Sequence, residues 1–332
     1  MDIKRLVWAD ALRGLLILLV VVGHSLQYGD YENRISWNII YSFHMATFFM
    51  ISGYVGYKEK YQIFSLKHKA QQLLVPFFTW SLLAVLIKGK NWSYLYEIIL
   101  KPDSSYWFIF ILFFIIALFV LINCAFANNV KKSIYKSICC SDLVLLFTIL
   151  GLVLIMVVSE FRLFGFQFFA LYFGFYIYGY WLRKFHIKFK VSWIIYLGII
   201  WLVLALFWRM HEVPLPLQNI SFIPHSMLIY SYRYITAFIG SLFFVGFAMK
   251  FLNKENVVIK SLSYLGKISL GIYIIHLFIG RYVSNIFESF FNSNVSIPFV
   301  FCDFVTKLII SIVLINIIQK VPYLKLLLLG KK

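Results

Sequence analysis

The chain alternates between long apolar stretches and short polar segments along its whole length. A helix needs about 20 predominantly apolar residues to cross the hydrocarbon core of a bilayer. The pattern predicts ten transmembrane helices, at 11–29, 38–57, 72–88, 106–123, 143–158, 164–182, 191–208, 228–249, 266–283 and 298–318. A tight turn at 159–163 is predicted to join the fifth and sixth of them.

Composition narrows the class to membrane proteins. Of the 332 residues, 62% are hydrophobic and 13% are charged, whereas globular chains have about 45–50% apolar and about 25% charged residues. No A-x-A-like cleavage site follows the first apolar stretch, so this stretch is predicted to be a retained helix and not a signal peptide. The fold is therefore predicted to be an all-α polytopic membrane protein, in which residues 1–332 form one membrane domain without a separate soluble domain.

The distribution of basic residues predicts the orientation of the chain. The net charge is +18, but Lys and Arg cluster in alternate loops, as the positive-inside rule requires of cytoplasmic loops. With a cytoplasmic N-terminus, six basic residues fall in outside loops: Arg34, Lys88, Lys90, Lys101, Arg162 and Arg209. Both termini are therefore predicted to be cytoplasmic, and nucleic acid is not expected as a partner. The four cysteines show neither metal-ligand spacing nor a disulfide framework, so no metal site is predicted.

The first apolar stretch, residues 8–26, carries ionisable side chains at both ends. Asp10 and Arg13 lie near its start and His24 near its end. Arg13 and His24 are eleven positions apart, which places them on one helix face and separates them by roughly 16 Å along the axis. Ionisable groups inside a membrane are functional candidates, and an imidazole suits general-base work on a hydroxyl. His24 is therefore either a catalytic residue or a buried structural histidine.

Two further stretches carry polar side chains at helical spacing. They are His44, Phe48 and Ser52 in the second, and Ser269, Tyr273 and His276 in the ninth. Each set lies on one face of its helix and can line a site or join neighbouring helices. Asp303 and Lys307 are four positions apart in the tenth stretch and predict an intrahelical ion pair with a structural role. Arg233, in the eighth, has no acidic neighbour in sequence and predicts an anion or a carbonyl group as its partner.

These residues resemble the signature of the acyltransferase-3 family of integral-membrane acyltransferases. Asp10-x-x-Arg13-Gly14 with His24 resembles its first motif, and Phe48-Phe49-x-x-Ser52-Gly53 resembles its second. Three later motifs also match, namely Leu74-Val75-Pro76, Trp107-Phe108 and Gly266-Lys267-x-Ser269-Leu270-x-x-Tyr273-x-x-His276. The resemblance covers almost the whole chain, with the motifs in the expected order.

The resemblance implies transfer of an acyl group, usually acetyl, from cytoplasmic acetyl-CoA to a hydroxyl of a carbohydrate or lipid-linked glycan. CoA is then a co-substrate and no cofactor is permanently bound. The phosphates of CoA are expected to meet Arg13, Lys67 and Lys69, because cationic side chains, Arg above all, bind phosphate. His24 is expected to act as general base or transient acyl carrier, with Asp10 orienting Arg13. The expected residues of the substrate channel are His44, Ser52, Arg233, Ser269, Tyr273 and His276.

The resemblance also implies the setting of the protein. It is expected as a multi-pass protein of the bacterial inner membrane, acting on exopolysaccharide or another cell-envelope glycan beside polysaccharide-synthesis partners. One departure concerns the family's basic residue before Leu74, where this chain has Gln71 and Gln72. The family's optional extra-membrane hydrolase domain is not expected here, so the membrane domain or a separate partner is expected to complete the transfer.

Two other functions remain compatible with the sequence. A transporter or flippase for a lipid-linked saccharide also needs many spans and a polar intramembrane face. Transporters commonly show inverted repeats or paired mid-span helix breaks, and neither is visible here. A structural subunit of a polysaccharide-synthesis complex is the third interpretation, and it predicts that Arg13 and His24 tolerate replacement.

Overall fold

The computed structural model describes residues 6–27, 35–102, 106–126, 140–158, 161, 163–254, 256–291 and 296–331. Within these ranges the regular structure is helical and contains no β-strand. The helices are α1 (Val7–Gln27), α2 (Ile35–Tyr41), α3 (His44–Gly56), α4 (Ser65–Lys88), α5 (Ser93–Leu100), α6 (Trp107–Phe126), α7 (Cys140–Val158), α8 (Phe166–Lys184), α9 (Val191–Leu206), α10 (His225–Phe251), α11 (Val257–Lys267), α12 (Ser269–Phe290), α13 (Ile297–Ile318) and α14 (Pro322–Leu329).

The described part of each of the ten predicted stretches is mainly helical, and the all-α polytopic membrane fold is confirmed. Seven segments of the described chain are long and apolar enough to cross a membrane: Val7–Gln27, Ile35–Gly56, Ser65–Lys88, Trp107–Phe126, His225–Phe251, Ser269–Phe290 and Ile297–Ile318. Two shorter apolar helical stretches are Cys140–Met156 and Val191–Leu206. The turn predicted at 159–163 includes residues 159, 160 and 162, which lie outside the described ranges.

The second predicted span is broken into α2 and α3, which the hydrophobic pattern did not indicate. The break lies at residues 42–43, where side chains bind carbonyls that a continuous helix uses for its own ladder. Ser42 Oγ donates to Ile39 O over 2.7 Å, and His44 Nδ1 lies 2.7 Å from Ile40 O. The break places His44 at the first turn of α3.

The start of the ninth span also differs from the prediction. Gly266 and Lys267, expected inside this span, instead end the separate helix α11, which begins after Asn256. The Asn256 side chain caps α11 by accepting the N–H of Ile259 over 2.8 Å. Ile268 has non-helical dihedral angles and separates α11 from α12, so the span begins at Ser269.

The described chain divides into two compact units. One unit comprises Met1–Ile51 and Ile187–Ile315, and the other comprises Ser52–His186 and Asn316–Lys332. In the first unit α1 packs against α11, α12, α10 and α2, and α9 packs against α10 and α2. In the second, α4 packs against α6 and α14, and α7 and α8 pack against each other. The single membrane domain over residues 1–332 stays a prediction.

Glycines of the family-like motifs lie where two backbones touch. A Cβ at Gly14 of α1 would stand 1.9 Å from Leu262 O, and one at Gly266 would stand 1.8 Å from Asp10 O. In the second unit, a Cβ at Gly53 would stand 1.8 Å from Tyr176 O. Small residues allow this close approach of membrane helices, so the glycines hold α1 against α11 and α3 against α8.

Candidate active site

Helix α1 carries three of the predicted site residues. It is uninterrupted from Val7 to Gln27, so the spacing that places Arg13 and His24 on one face holds in the structure. Arg13 Nη1 lies 3.8 Å from Oδ1 of Asp10, whose side chain is buried while that of Arg13 is 24% exposed. His24 is also only partly buried. One face of α1 therefore presents an accessible cation and an accessible imidazole.

Three histidines and a tyrosine form a ring cluster in the first unit, here termed the imidazole cluster: His24, Tyr41, His44 and His276. The ring centroids of His24 and His276 are 5.3 Å apart, with the planes tilted by 44°. The Tyr41 ring lies edge-on to two of the histidines, with its centroid 6.5 Å from that of His24 and 4.9 Å from that of His44. The sequence predicted each histidine separately, and the fold of α1, α3 and α12 brings them together.

Hydrogen bonds to backbone carbonyls fix which nitrogen carries the proton in two of these rings. Nδ1 of His44 lies 2.7 Å from Ile40 O, and Nδ1 of His276 lies 2.7 Å from Ile272 O. A carbonyl oxygen can only accept, so each Nδ1 must be protonated. In the neutral ring Nε2 is then the unprotonated nitrogen, with a lone pair that can accept a proton.

His24 has the same arrangement with a side-chain partner. Its Nδ1 lies 3.2 Å from Oε1 of Gln27, one turn further along α1. With the amide oxygen towards the ring, Nδ1 donates the hydrogen bond and Nε2 retains its lone pair. An imidazole oriented through Nδ1–H is suited to act as a general base or as a nucleophile at Nε2.

Buried polar atoms without a hydrogen-bond partner among the described residues occur in the same unit. They are Ser25 Oγ, Trp37 Nε1, Asn38 Oδ1, Asn38 Nδ2 and His276 Nε2. The Trp37 ring stacks on Tyr41 of the imidazole cluster at 3.9 Å. Buried polar groups are normally satisfied, so these atoms are candidate contacts for a bound molecule that enters this part of the unit. Sequence reasoning missed Trp37, Asn38 and Tyr41, because an aromatic pair beside an amide at a span end is typical of a membrane interface.

The predicted ion pair between Asp303 and Lys307 is present and includes a serine of α12. Lys307 Nζ donates to Asp303 Oδ2 and, over 2.9 Å, to Ser284 Oγ, which itself donates to Asp303 Oδ1 over 2.9 Å. Asp303, Lys307 and Ser284 are all fully buried. The network joins α12 to α13 and neutralises both charges, as a buried pair requires.

Arg233 has a carbonyl partner and aromatic neighbours. Its Nη1 donates to Met210 O over 3.3 Å. Its guanidinium lies 5.7 Å from the Trp208 ring centroid and 5.9 Å from that of Tyr230. Of the two partners that the sequence predicted for Arg233, the structure therefore contains the carbonyl.

The remaining predicted site residues are divided between the two units. Ser269 opens α12, and the Tyr273 ring is 6.1 Å from that of His276. Ser52, Lys67 and Lys69 belong to the second unit. There Lys67 is exposed, and Lys69 Nζ donates to Gln72 Oε1 over 3.1 Å. Their roles towards CoA or the acceptor stay predictions.

Comparison with known proteins identifies the family of this chain. The model of the acyltransferase domain of this family matches residues 6–316. The chain is 32% identical over 133 residues to the nodulation protein NolL of Mesorhizobium japonicum, an alignment covering 34% of this chain and 36% of that protein. The chain thus spans about a third of the length of this curated relative, and no solved structure matches it. Because the family model covers nearly the whole chain, the protein belongs to the acyltransferase-3 family.

Proposed function

We propose that this protein transfers an acetyl group from cytoplasmic acetyl-CoA to a hydroxyl of a cell-surface polysaccharide or lipid-linked glycan in the bacterial inner membrane. The observation that carries the proposal is the accessible face of α1, with Arg13 near one end and His24 near the other. On this helix Arg13 is held beside Asp10, and the His24 imidazole is oriented by its hydrogen bond with Gln27.

The donor is assigned to acyl-CoA because the α1 face fits its chemistry. Arg13 lies at the predicted cytoplasmic end, where an anionic CoA phosphate arrives, and Asp10 is close enough to orient its guanidinium. His24 lies about 16 Å further along the helix axis, a distance of the order of an extended pantetheine arm. Phosphate bound at Arg13 thus leaves the thioester near the imidazole. Lys67 and Lys69 are the further proposed phosphate contacts.

The acceptor is assigned to the class of hydroxyl compounds because the polar atoms near His24 are neutral. Ser25 Oγ and both polar atoms of Asn38 can donate and accept in the way that sugar hydroxyls require. The Trp37 ring next to Asn38 is buried and stacks on Tyr41, which is only partly buried. None of these four side chains carries a charge, which favours a neutral polyhydroxyl acceptor over an anionic one.

In the proposed reaction His24 Nε2 either removes the proton of the acceptor hydroxyl or first accepts the acyl group. Gln27 holds the ring through Nδ1–H in both cases. Ser269 and Tyr273 are the proposed donors to the oxyanion and channel-lining residues, with His44 and Arg233 completing the acceptor channel. The channel role of Ser52, which belongs to the second unit, stays a prediction. Preorganised donors of this kind stabilise the charge that develops on the carbonyl oxygen.

The test uses purified protein in lipid nanodiscs with radiolabelled acetyl-CoA. The wild type is expected to bind acetyl-CoA and release CoA, whereas His24→Ala binds it and releases none. Arg13→Gln is expected to raise the KM for acetyl-CoA about 10- to 100-fold, as loss of a charged hydrogen bond predicts. The matched control is His211→Gln, an exposed histidine outside the imidazole cluster.

A folded His24→Ala protein that transfers acetyl at the wild-type rate would refute this mechanism. A wild type that neither binds nor turns over acetyl-CoA would favour the flippase. The acceptor itself is identified by mass spectrometry of surface glycans from a deletion strain, because the lost mass gives the acyl group and the glycan together.

A further inference from the structure

The imidazole cluster contains a second histidine that the proposed reaction of His24 leaves unused. His276 of α12 is 1% exposed, and its ring centroid is 5.3 Å from that of His24. Its Nδ1 is bound to Ile272 O, and its Nε2 has no hydrogen-bond partner among the described residues. Leaving a buried acceptor unsatisfied costs about 1–3 kcal/mol, so this nitrogen is a candidate contact for a substrate hydroxyl.

We propose that His24 and His276 divide the reaction: His24 carries the acyl group, and His276 is the general base that deprotonates the acceptor hydroxyl. This inference rests on the acyl transfer proposed above and assigns the step that His24, once acylated, cannot perform. An acylated His24 Nε2 has no lone pair left for the hydroxyl proton. The neighbouring ring supplies one, because Ile272 holds its proton on Nδ1.

The distance between the rings suits one hydroxyl between them. A ring nitrogen lies about 1 Å from its centroid, so nitrogens of these two rings can lie close enough for one oxygen to reach both. Because His276 Nε2 is buried, neighbouring side chains have to shift when the hydroxyl binds there. In that position the oxygen is beside the acyl carbon on His24, and its proton points towards His276. This is the near-attack geometry that acyl transfer requires.

The two steps balance. His24 Nε2 attacks the thioester carbon, the C–S bond breaks, and CoA leaves as the thiolate, giving an acyl-imidazolium whose Nδ1–H is held by Gln27. The acceptor oxygen then attacks the acyl carbon while its proton passes to His276 Nε2. The C–N bond breaks and returns its electron pair to His24. Proton transfer from His276 to the thiolate releases CoA and restores both rings.

The charged neighbours of His276 permit this cycle. His24 of α1 and Tyr273 of its own helix are its ring neighbours, and Lys307 of α13 belongs to the same unit. Lys307 is ion-paired with Asp303, which offsets its charge. A transient imidazolium at His276 therefore does not face an uncompensated cation.

His276→Asn separates the proposed role from a structural one. The Asn side-chain amide can replace Nδ1–H as the donor to Ile272 O, but it has no basic nitrogen at the position of Nε2. A merely structural His276 therefore tolerates this change. His276→Gln serves as the second variant if the first does not fold, and His211→Gln is again the control.

The experiment measures two reactions that remove the acetyl label from the protein, transfer to the endogenous glycan and attack by hydroxylamine. It uses membrane vesicles that contain the full chain and radiolabelled acetyl-CoA. His276→Asn is expected to retain label on the protein and to lose transfer to the endogenous glycan by at least about 100-fold, the usual contribution of a general base. Hydroxylamine, which attacks without a base, is expected to discharge this label as acetohydroxamate within threefold of the wild-type rate.

Three results overturn the division of roles: wild-type glycan transfer by His276→Asn, loss of both label and transfer in this variant, or absence of label from every variant while the wild type still transfers. Failure of the proposed function looks different, because the wild type would then release no CoA. His24→Ala is expected to yield neither label nor acetohydroxamate.

Discussion

Replacing Gly266 by Ala tests whether backbone contact between α1 and α11 positions the donor end of the site. The new Cβ would stand 1.8 Å from Asp10 O, where ordinary contact is 3.4–4 Å. The helices must therefore separate locally by about 1.6 Å, because the obstacle is a backbone carbonyl and not a flexible side chain. The displaced segment of α1 carries Asp10 and Arg13.

The expected loss of stability follows from two opposing contributions. Overpacking costs about 1–3 kcal/mol, with a rigid obstacle at the upper end, and Gly to Ala within a helix returns up to about 1 kcal/mol. The net loss is about 2 kcal/mol, which lowers the melting temperature by about 3 °C for a chain of 332 residues, because the entropy of unfolding is about 0.7 kcal/mol/K. Because Arg13 moves with α1, the KM for acetyl-CoA is expected to rise at least threefold while kcat changes less.

The assay is thermal unfolding in detergent together with steady-state kinetics. Gly151→Ala in α7 is the matched control, since nothing lies within 4 Å of its added Cβ, and it is expected to be neutral or stabilising. The double variant Gly14→Ala/Gly266→Ala is expected to cost less than the sum of its singles, because one separation of the helices relieves both clashes. A Gly266→Ala protein melting within 1 °C of the wild type, or a Gly151→Ala protein equally destabilised, would refute the reasoning.

Two further predictions concern buried polar groups. Lys307→Met leaves Asp303 buried without its counter-ion and is expected to lower the free energy of unfolding by about 3–5 kcal/mol. The double variant Asp303→Leu/Lys307→Met is expected to recover most of this loss, because no buried charge is left unpaired. If denaturant titrations show the single and the double variant to be equally unstable, a charge-pairing role is contradicted. Asn38→Leu removes two unsatisfied buried atoms and is expected to raise the melting temperature while lowering acetyl transfer at least tenfold, the trade-off of a ligand-binding residue. Lower stability with full activity would instead assign Asn38 a structural role.

Relations within one helix were visible in the sequence. The spacing of Arg13 and His24, and the ion pair of Asp303 with Lys307, depend only on helical periodicity, and α1 and α13 are continuous over these residues. The ten apolar stretches likewise predicted helices because a span is a local property of length and apolar content.

Relations between helices were not visible, because periodicity carries no information about partners. His24 and His276 come from opposite ends of the chain, and their contact depends on α12 packing against α1. The unsatisfied atoms of Trp37 and Asn38 are a property of their surroundings and not of their residue types. The breaks at residues 42–43 and at Ile268 were missed since neither contains Gly or Pro, the residues that mark helix ends in a sequence.

The family-like motifs contain residues of two physical kinds, and the structure separates them. Gly14 and Gly266 bring two backbones into contact near the Arg13 end of α1, whereas His24 and His276 bring two imidazoles together towards its other end. Both contacts join α1 to one neighbouring segment, α11 followed by α12. That segment therefore constrains α1 at two points. The distance between Arg13 and His24 is set by the geometry of α1, and the packing of α11 and α12 resists any displacement of either residue. A site that must present a thioester of fixed length to a fixed base requires this rigidity, which explains the presence of Gly14 and Gly266 among the motif residues.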